Sequence, residues 1–242
     1  DMKIAGAGTI ATGEYRKVSI AGSATLSGDI ACETFKVTGA AEGSGSLKAG
    51  SLAVNGTLGY LGDADIEQGR VSGTATFDKL KAGTITIVGT LEVRGLEADM
   101  VDVRGVLNVA EDCQAERFTA SGAFHVAGLL NAGAVDVTLG GLSSAGEIGG
   151  EAVTVRTGVG ALKRLVGALI PEWDTRLTAD SIEGDHVRLE RTTARVVRGT
   201  DVVIGPACDV ELVEYTESYS AARDAKVGEA RKLGAADATA PE

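Results

Sequence analysis

The chain has 242 residues, enough for one large domain or two small ones, with 34 glycines, 3 prolines, 4% aromatics and a formal net charge of −11. That acidic balance argues against nucleic acid, which needs clustered lysine and arginine, and against broad adhesion to anionic lipid. Cys32, Cys113 and Cys208 lie far apart, with no CxxC pair or Cys/His cluster, so they imply neither a zinc site nor a disulfide framework.

A reducing, cytoplasmic compartment is the expectation. No signal peptide and no apolar run of ~18 residues is visible, although the chain opens on Asp1 rather than Met.

In chain order, residues 1–13, with Gly6, Gly8 and Gly13, read as an N-terminal arm or an incomplete first coil. Residues 14–156 are dominated by a repeat. Ile30-Ala-Cys-Glu-Thr-Phe35-Lys-Val37-Thr-Gly39 returns as Leu47-Lys-Ala-Gly-Ser-Leu52-Ala-Val54-Asn-Gly56, and further copies start at Ala64, Leu80, Leu96, Cys113, Leu130 and Ile148. The starts are 16 to 18 residues apart. Apolar sites fall at offsets 0, 2, 5 and 7 of each copy, with Gly commonly at 9.

Spacing of two is strand periodicity, and the shift from offset 2 to 5 breaks it once per copy, as a corner would. Glycine at the next corner permits φ > 0 at little steric cost. One copy alone cannot bury its apolar face, but stacked copies form parallel sheets around a narrow core. Equivalent sites then line up as columns, such as Ile30, Leu47, Ala64, Leu80 and Leu96. The expected fold is therefore all-β: a right-handed parallel β-helix of about eleven coils.

From Ile148 to the next copy at Ile182 the step is 34 residues, about one coil too many. Residues 157–180 read as an amphipathic helical insertion. Val159, Leu162, Leu165, Val166, Leu169 and Ile170 share one helical face, and Pro171 ends it before Trp173. Such a helix either folds back on the coils or offers Leu162, Leu165, Val166, Leu169, Ile170 and Trp173 to a membrane or partner. The last coils occupy 181–215, and 216–242 reads as a charged tail, disordered or partly helical.

No catalytic, cofactor or metal site emerges. Alternation turns His125 and His186 to solvent, and Cys32, Cys113 and Cys208 fall on inward columns as small hydrophobes. The acidic clusters Asp63/Asp65/Glu67, Glu97/Asp99/Asp102 and Glu111/Asp112 lack the repeated calcium nonapeptide and the aromatic platforms of a sugar site. Glycine-rich stretches such as Gly6-Ala-Gly8 lack the strand and helix context of a nucleotide loop.

The coil motifs resemble those of the bactofilins, bacterial polymer-forming cytoskeletal proteins. The residues that carry the resemblance include Val18-Ser-Ile20-Ala-Gly22, Gly28-Asp-Ile30, Phe35-Lys-Val37-Thr-Gly39 and Gly45-Ser-Leu47-Lys-Ala49. Asp112 to Phe118, Gly128 to Ala132, Glu147 to Glu151 and Val197 to Gly205 look like a long-form branch found in spore-forming Gram-positive bacteria. The resemblance spans roughly residues 14 to 215.

It implies a cytoplasmic scaffold, often at the membrane, that assembles end to end without nucleotide and places cell-envelope or motility machinery. Its partners would be further copies of itself and membrane or envelope proteins. Unlike the family's typical short rods, this chain carries an insertion and a charged tail. The end coils, through Val18 and Ile20 on one side and Val202, Ile204, Val210 and Leu212 on the other, are the candidate self-association residues. The competing reading is a monomeric adaptor recruiting its partner through residues 158–176 or the tail.

Overall fold

The computed structural model describes residues 1–60, 62–158 and 175–234. Its strands pair in parallel, and the described chain is an all-β parallel solenoid of about 13 turns, with no helix among the described residues. It divides into two compact units, Asp1–Arg117 and Phe118–Glu242.

In the first unit the repeat positions stack in register. Ile30 sits on Leu47, Leu47 on Ala64, Ala64 on Leu80 and Leu80 on Leu96, all buried. Val37, Val54, Val71, Ile87 and Val103 form a second inward column, and each is wholly buried. Burying one such side chain contributes about 1.5–3 kcal/mol, so the columns hold the coils together.

Size is traded along a column. Tyr60 lies two layers below Leu26 because the residue between them is Gly43, whose absent side chain leaves room for the ring. The Tyr60 hydroxyl then donates to the carbonyls of Gly28 (3.1 Å) and Ser46 (2.9 Å), which satisfies a fully buried polar atom.

The corner glycines serve a purpose other than the one expected. Only Gly28 (φ 87°) and Gly45 (φ 110°) adopt positive φ among the described glycines. Gly22, Gly39, Gly56, Gly73, Gly89 and Gly105 stack instead so closely that a Cβ on each would overlap the carbonyl oxygen of the glycine one coil earlier. Close approach between layers, rather than a left-handed backbone, requires glycine there.

In the second unit, Leu130, Ile148, Ile182, Val197 and Val213 continue the leading column, and Val135, Val153, Val187 and Val202 form its neighbour. Phe118 and Phe124 meet edge-on, with ring centroids 5.2 Å apart. Strand β13 (Leu142–Thr157) pairs directly with β14 (Arg176–Leu189), from Leu142↔Arg176 to Thr154↔Arg188. The chain thus leaves and rejoins the ladder at one corner without a missing layer. Glu190 accepts from Thr157, and Arg191 donates to the Thr175 carbonyl (3.0 Å), so both roots are tied to the following corner.

The expected helix at 157–180 lies mostly outside the described residues. At its borders, however, Thr157 ends one strand and Arg176 begins the next.

At the N-terminus the structure has a partial first coil, one of the two expected readings, whereas the C-terminal boundary is corrected. Residues 2–4 and 7–13 are strand: β1 (Met2–Ile4) pairs with Val18 to Ile20, and β2 (Ala7–Ile20) pairs with the next layer. Past residue 215, β16 (Asp209–Ala221) continues and β17 (Lys226–Lys232) adds another layer, where a disordered tail was expected. Apolar periodicity misses both, because backbone ladder bonds need no apolar side chain. Strand β17 turns only Val227 and Ala230 toward the columns above them. These layers raise the count from eleven coils to about 13.

Candidate functional site

The candidate self-association residues do not lie on free edges. Val18 and Ile20 are fully buried, between Met2 and Ile4 on one side and Phe35 and Val37 on the other. Val202 and Ile204 lie between Val187 and Leu189 and the pair Tyr219 and Ala221. Val210 and Leu212 lie between β15 (Thr192–Ile204) and β17; Val210 is buried and Leu212 half-buried.

The strand edges paired on one side only, among the described residues, are elsewhere. In the first unit they are Met2–Ile4 and residues 7–15. In the second they are residues 218–221 and Lys226–Lys232.

Side chains close the core at both. Ile4 lies over Gly8, where an added Cβ would come within 2.8 Å of its Cδ1, and the Tyr15 hydroxyl donates to the Ala11 carbonyl (2.8 Å). At the other edge Tyr215 and Tyr219 stack with centroids 5.3 Å apart, and burial pushes the Tyr219 hydroxyl pKa up. What stays available is backbone hydrogen-bonding capacity.

The outward positions carry charge ladders. Glu183, Arg198, Glu214 and Arg231 stand over one another in four successive layers. Arg198 donates to Glu214 (2.8 Å), Arg231 lies 3.6 Å from the same carboxylate, and only 11% of the Glu214 side chain is exposed. The hydrogen bond to Glu214 raises the Arg198 pKa. In the first unit Arg94 bridges Asp78 (2.5 Å) and Glu111 (3.4 Å), and its hydrogen bond holds the Asp78 carboxyl below the ordinary range. Lys81 pairs with Glu97 at 2.7 Å.

Alternating signs at equivalent positions disfavour register slips, since like charges directly opposite are destabilising. Apolar periodicity does not reveal the ladder through Arg231, because β17 carries few apolar residues; its signal in the sequence is the alternation of charge at the residue after each leading-column site, Glu183, Arg198, Glu214 and Arg231.

The first unit also carries an open groove of about 550 Å³ bordered by Lys48, Lys81, Asp65 and Glu97. No group of three or more His, Cys, Asp or Glu is placed to hold a metal among the described residues. His125 and His186 are exposed, as alternation required. His186 lies 3.1 Å from Asp201, which also accepts from Ser218 (2.6 Å). In that trio the carboxylate is in the middle, so the serine faces no base and the nucleophile arrangement of a hydrolase is not formed.

Cys113 and Cys208 are buried, whereas Cys32 is half-buried. Desolvation pushes the thiol pKa of Cys32 up to about 11 and that of Cys113 to about 12. Leu162, Leu165, Val166, Leu169, Ile170 and Trp173 lie outside the described residues. No helix among the described residues is long and apolar enough to cross a membrane.

The fold and its edges define a parallel β-solenoid of the repeat-protein class. Two curated relatives match, both from Bacillus subtilis (strain 168) and both described as uncharacterized. YhbF is 39% identical over 107 residues, covering 44% of this chain and 42% of that protein. YhbE is 42% identical over 111 residues, covering 45% of this chain and 44% of that protein. The chain thus spans less than half the length of the curated relatives it matches. No protein-family model matches the chain, and no solved structure matches it.

Proposed function

We propose that the chain is a non-enzymatic scaffold of the bactofilin kind: a right-handed β-helix, cytoplasmic, that self-associates through its end layers without nucleotide. In this reading it positions cell-envelope or motility machinery, with copies of itself and membrane or envelope proteins as partners. The observation that carries the reading is the pair of strand edges, Met2–Ile4 with residues 7–15 and residues 218–221 with Lys226–Lys232, each bonded on one side only among the described residues. Such edges hold unpaired N–H and C=O groups and serve as templates for another chain.

The test is sedimentation velocity and negative-stain microscopy of the full chain at tens of micromolar, without nucleotide, beside a variant carrying Thr9→Lys and Glu14→Lys. Both residues are exposed, so the variant folds. Assemblies that disappear in the variant support the scaffold, since charge on an edge blocks pairing. Single copies of the unmodified chain would defeat it.

A second reading, an adaptor that recruits a membrane or partner through residues 158–176, draws on the uninterrupted β13–β14 ladder. The ladder joins Leu142–Thr154 to Arg176–Arg188 without any residue between 159 and 174. Deleting the segment would then abolish localisation while the solenoid stays folded.

A further inference from the structure

We propose that one sheet face of the first unit docks an acidic, extended segment of a partner protein, whose carboxylates at every third residue meet Lys3, Lys36 and Arg70. The proposal rests on the scaffold reading only for the kind of partner, a protein, and not on self-association.

The cations form a regular stripe. Lys3 stands over Ser19, Ser19 over Lys36, Lys36 over Ala53, Ala53 over Arg70 and Arg70 over Thr86. The column thus alternates a cation with a small residue, which keeps like charges from lying directly opposite one another. Lys17, two residues before Ser19 on the same side of its strand, adds a fourth cation beside the column. All four are exposed. Thr34, Ser51, Gln68 and Thr84, the residues beside the column in the following layers, bring no carboxylate. The first carboxylate in the column is Asp102, one layer beyond Thr86, and Arg104 already holds it at 2.7 Å.

The stripe is unanswered charge on a chain of net charge −11. Elsewhere cations are matched across layers: Lys81 by Glu97, Arg94 by Asp78 and Glu111, Arg198 by Glu214. Among the described residues, none of Lys3, Lys17, Lys36 and Arg70 has an ion-pair partner.

The spacing selects the occupant. Layers lie about 4.8 Å apart, so successive cations of the column are about 9.6 Å apart. A polyproline II segment turns once every three residues and rises about 9.3 Å in doing so. Glutamates at its first, fourth and seventh places therefore reach Lys3, Lys36 and Arg70 in turn. A β-strand, which repeats a face about every 6.6 Å, and an α-helix, about every 5.4 Å, fall out of step. A polyproline II backbone has no internal hydrogen bonds. Ser51, Gln68, Thr84 and Thr86 offer it partners, and with Arg70 they border an open depression of about 360 Å³. A broad anionic surface such as a membrane fits less well, because the exposed Glu33 and Glu67, next to Thr34 and Gln68, would face it. Nucleic acid lacks the aromatic platforms that stack its bases.

Fluorescence anisotropy of the labelled peptide Glu-Pro-Ser-Glu-Pro-Ser-Glu, titrated with the full chain, tests the proposal; its prolines favour the polyproline II conformation. The peptide should bind, and an isomer with its glutamates contiguous should bind at least about fivefold more weakly. Combining Lys36→Ser with Arg70→Ser should weaken binding about tenfold; both positions are exposed, so the variant folds. Lys48→Ser with Lys79→Ser removes as much charge from exposed sites outside the stripe and should change binding less than about twofold. Equal losses in the two double variants, equal binding of the two peptides, or no binding at hundreds of micromolar chain would each overturn the proposal. So would capture of phosphatidylglycerol vesicles through Lys36 and Arg70 without peptide binding. Sedimentation of the same samples keeps self-association apart: a chain that stays single yet binds the peptide defeats only that reading.

Discussion

Replacing Gly56 by alanine tests whether close approach of layers, rather than backbone conformation, demands the corner glycines. The φ of Gly56 is not in the left-handed region, so a conformational argument alone predicts a gain of about 0.4–1 kcal/mol from a less flexible unfolded chain. The structure predicts the opposite. A Cβ at Gly56 would overlap the Gly39 carbonyl oxygen and stand 2.8 Å from the Thr38 oxygen, and all of these are backbone atoms.

The layers must part there, which costs the Thr57 amide its bond to the Gly39 carbonyl (2.9 Å) and weakens that of Gly56 to Val37 (3.3 Å). At about 0.5–1.5 kcal/mol for each of the two hydrogen bonds lost or weakened at this half-exposed corner, and allowing for the gain in the unfolded chain, the net loss is about 1–2 kcal/mol. Urea unfolding followed by far-UV circular dichroism measures it. Gly59→Ala, three residues on in the same coil, is the control. There the nearest atom to the new Cβ is Glu42 Cγ at 3.8 Å, so stability should hold or rise by up to about 1 kcal/mol. Equal stability of the two variants would refute the reasoning.

Three further outcomes are expected. Joining Gly158 directly to Thr175 leaves two residues between Thr157 and Arg176, the length of the Gly140, Gly141 corner in the layer above. That deletion should preserve the circular dichroism spectrum and shift stability by less than about 2 kcal/mol, because closure entropy changes by only about 0.6 kcal/mol per doubling of loop length. Tyr60→Phe keeps the ring over Gly43 but removes the donor to the Gly28 and Ser46 carbonyls, so urea unfolding should show a loss of about 0.5–1.5 kcal/mol. With its pKa raised from 9.0 to about 11, Cys32 at pH 8 should hold about a hundredfold less thiolate than an unperturbed thiol. Disulfide-exchange reagents should therefore label the native chain slowly and all three cysteines quickly in urea.

The architecture was legible in the chain because each coil repeats its apolar positions at a constant spacing, and stacking is the one way such faces can be buried. Columns named from that spacing, Ile30 to Leu96 and Leu130 to Ile182, are the columns the structure contains. Solvent-facing histidines followed from the same alternation.

Three things were decided only in the tertiary structure. Where the coils end could not be read from hydrophobicity, because β1 and β17 are held by ladder bonds and by the layer beneath them. The corner glycines look in sequence like turn residues, yet the constraint on them comes from a carbonyl 16 or 17 residues earlier in the chain, which exists only once layers stack. The free edges moved outward by a layer for the same reason: whether Val18 or Val210 is terminal depends on what pairs beyond it, and pairing is a property of the stack.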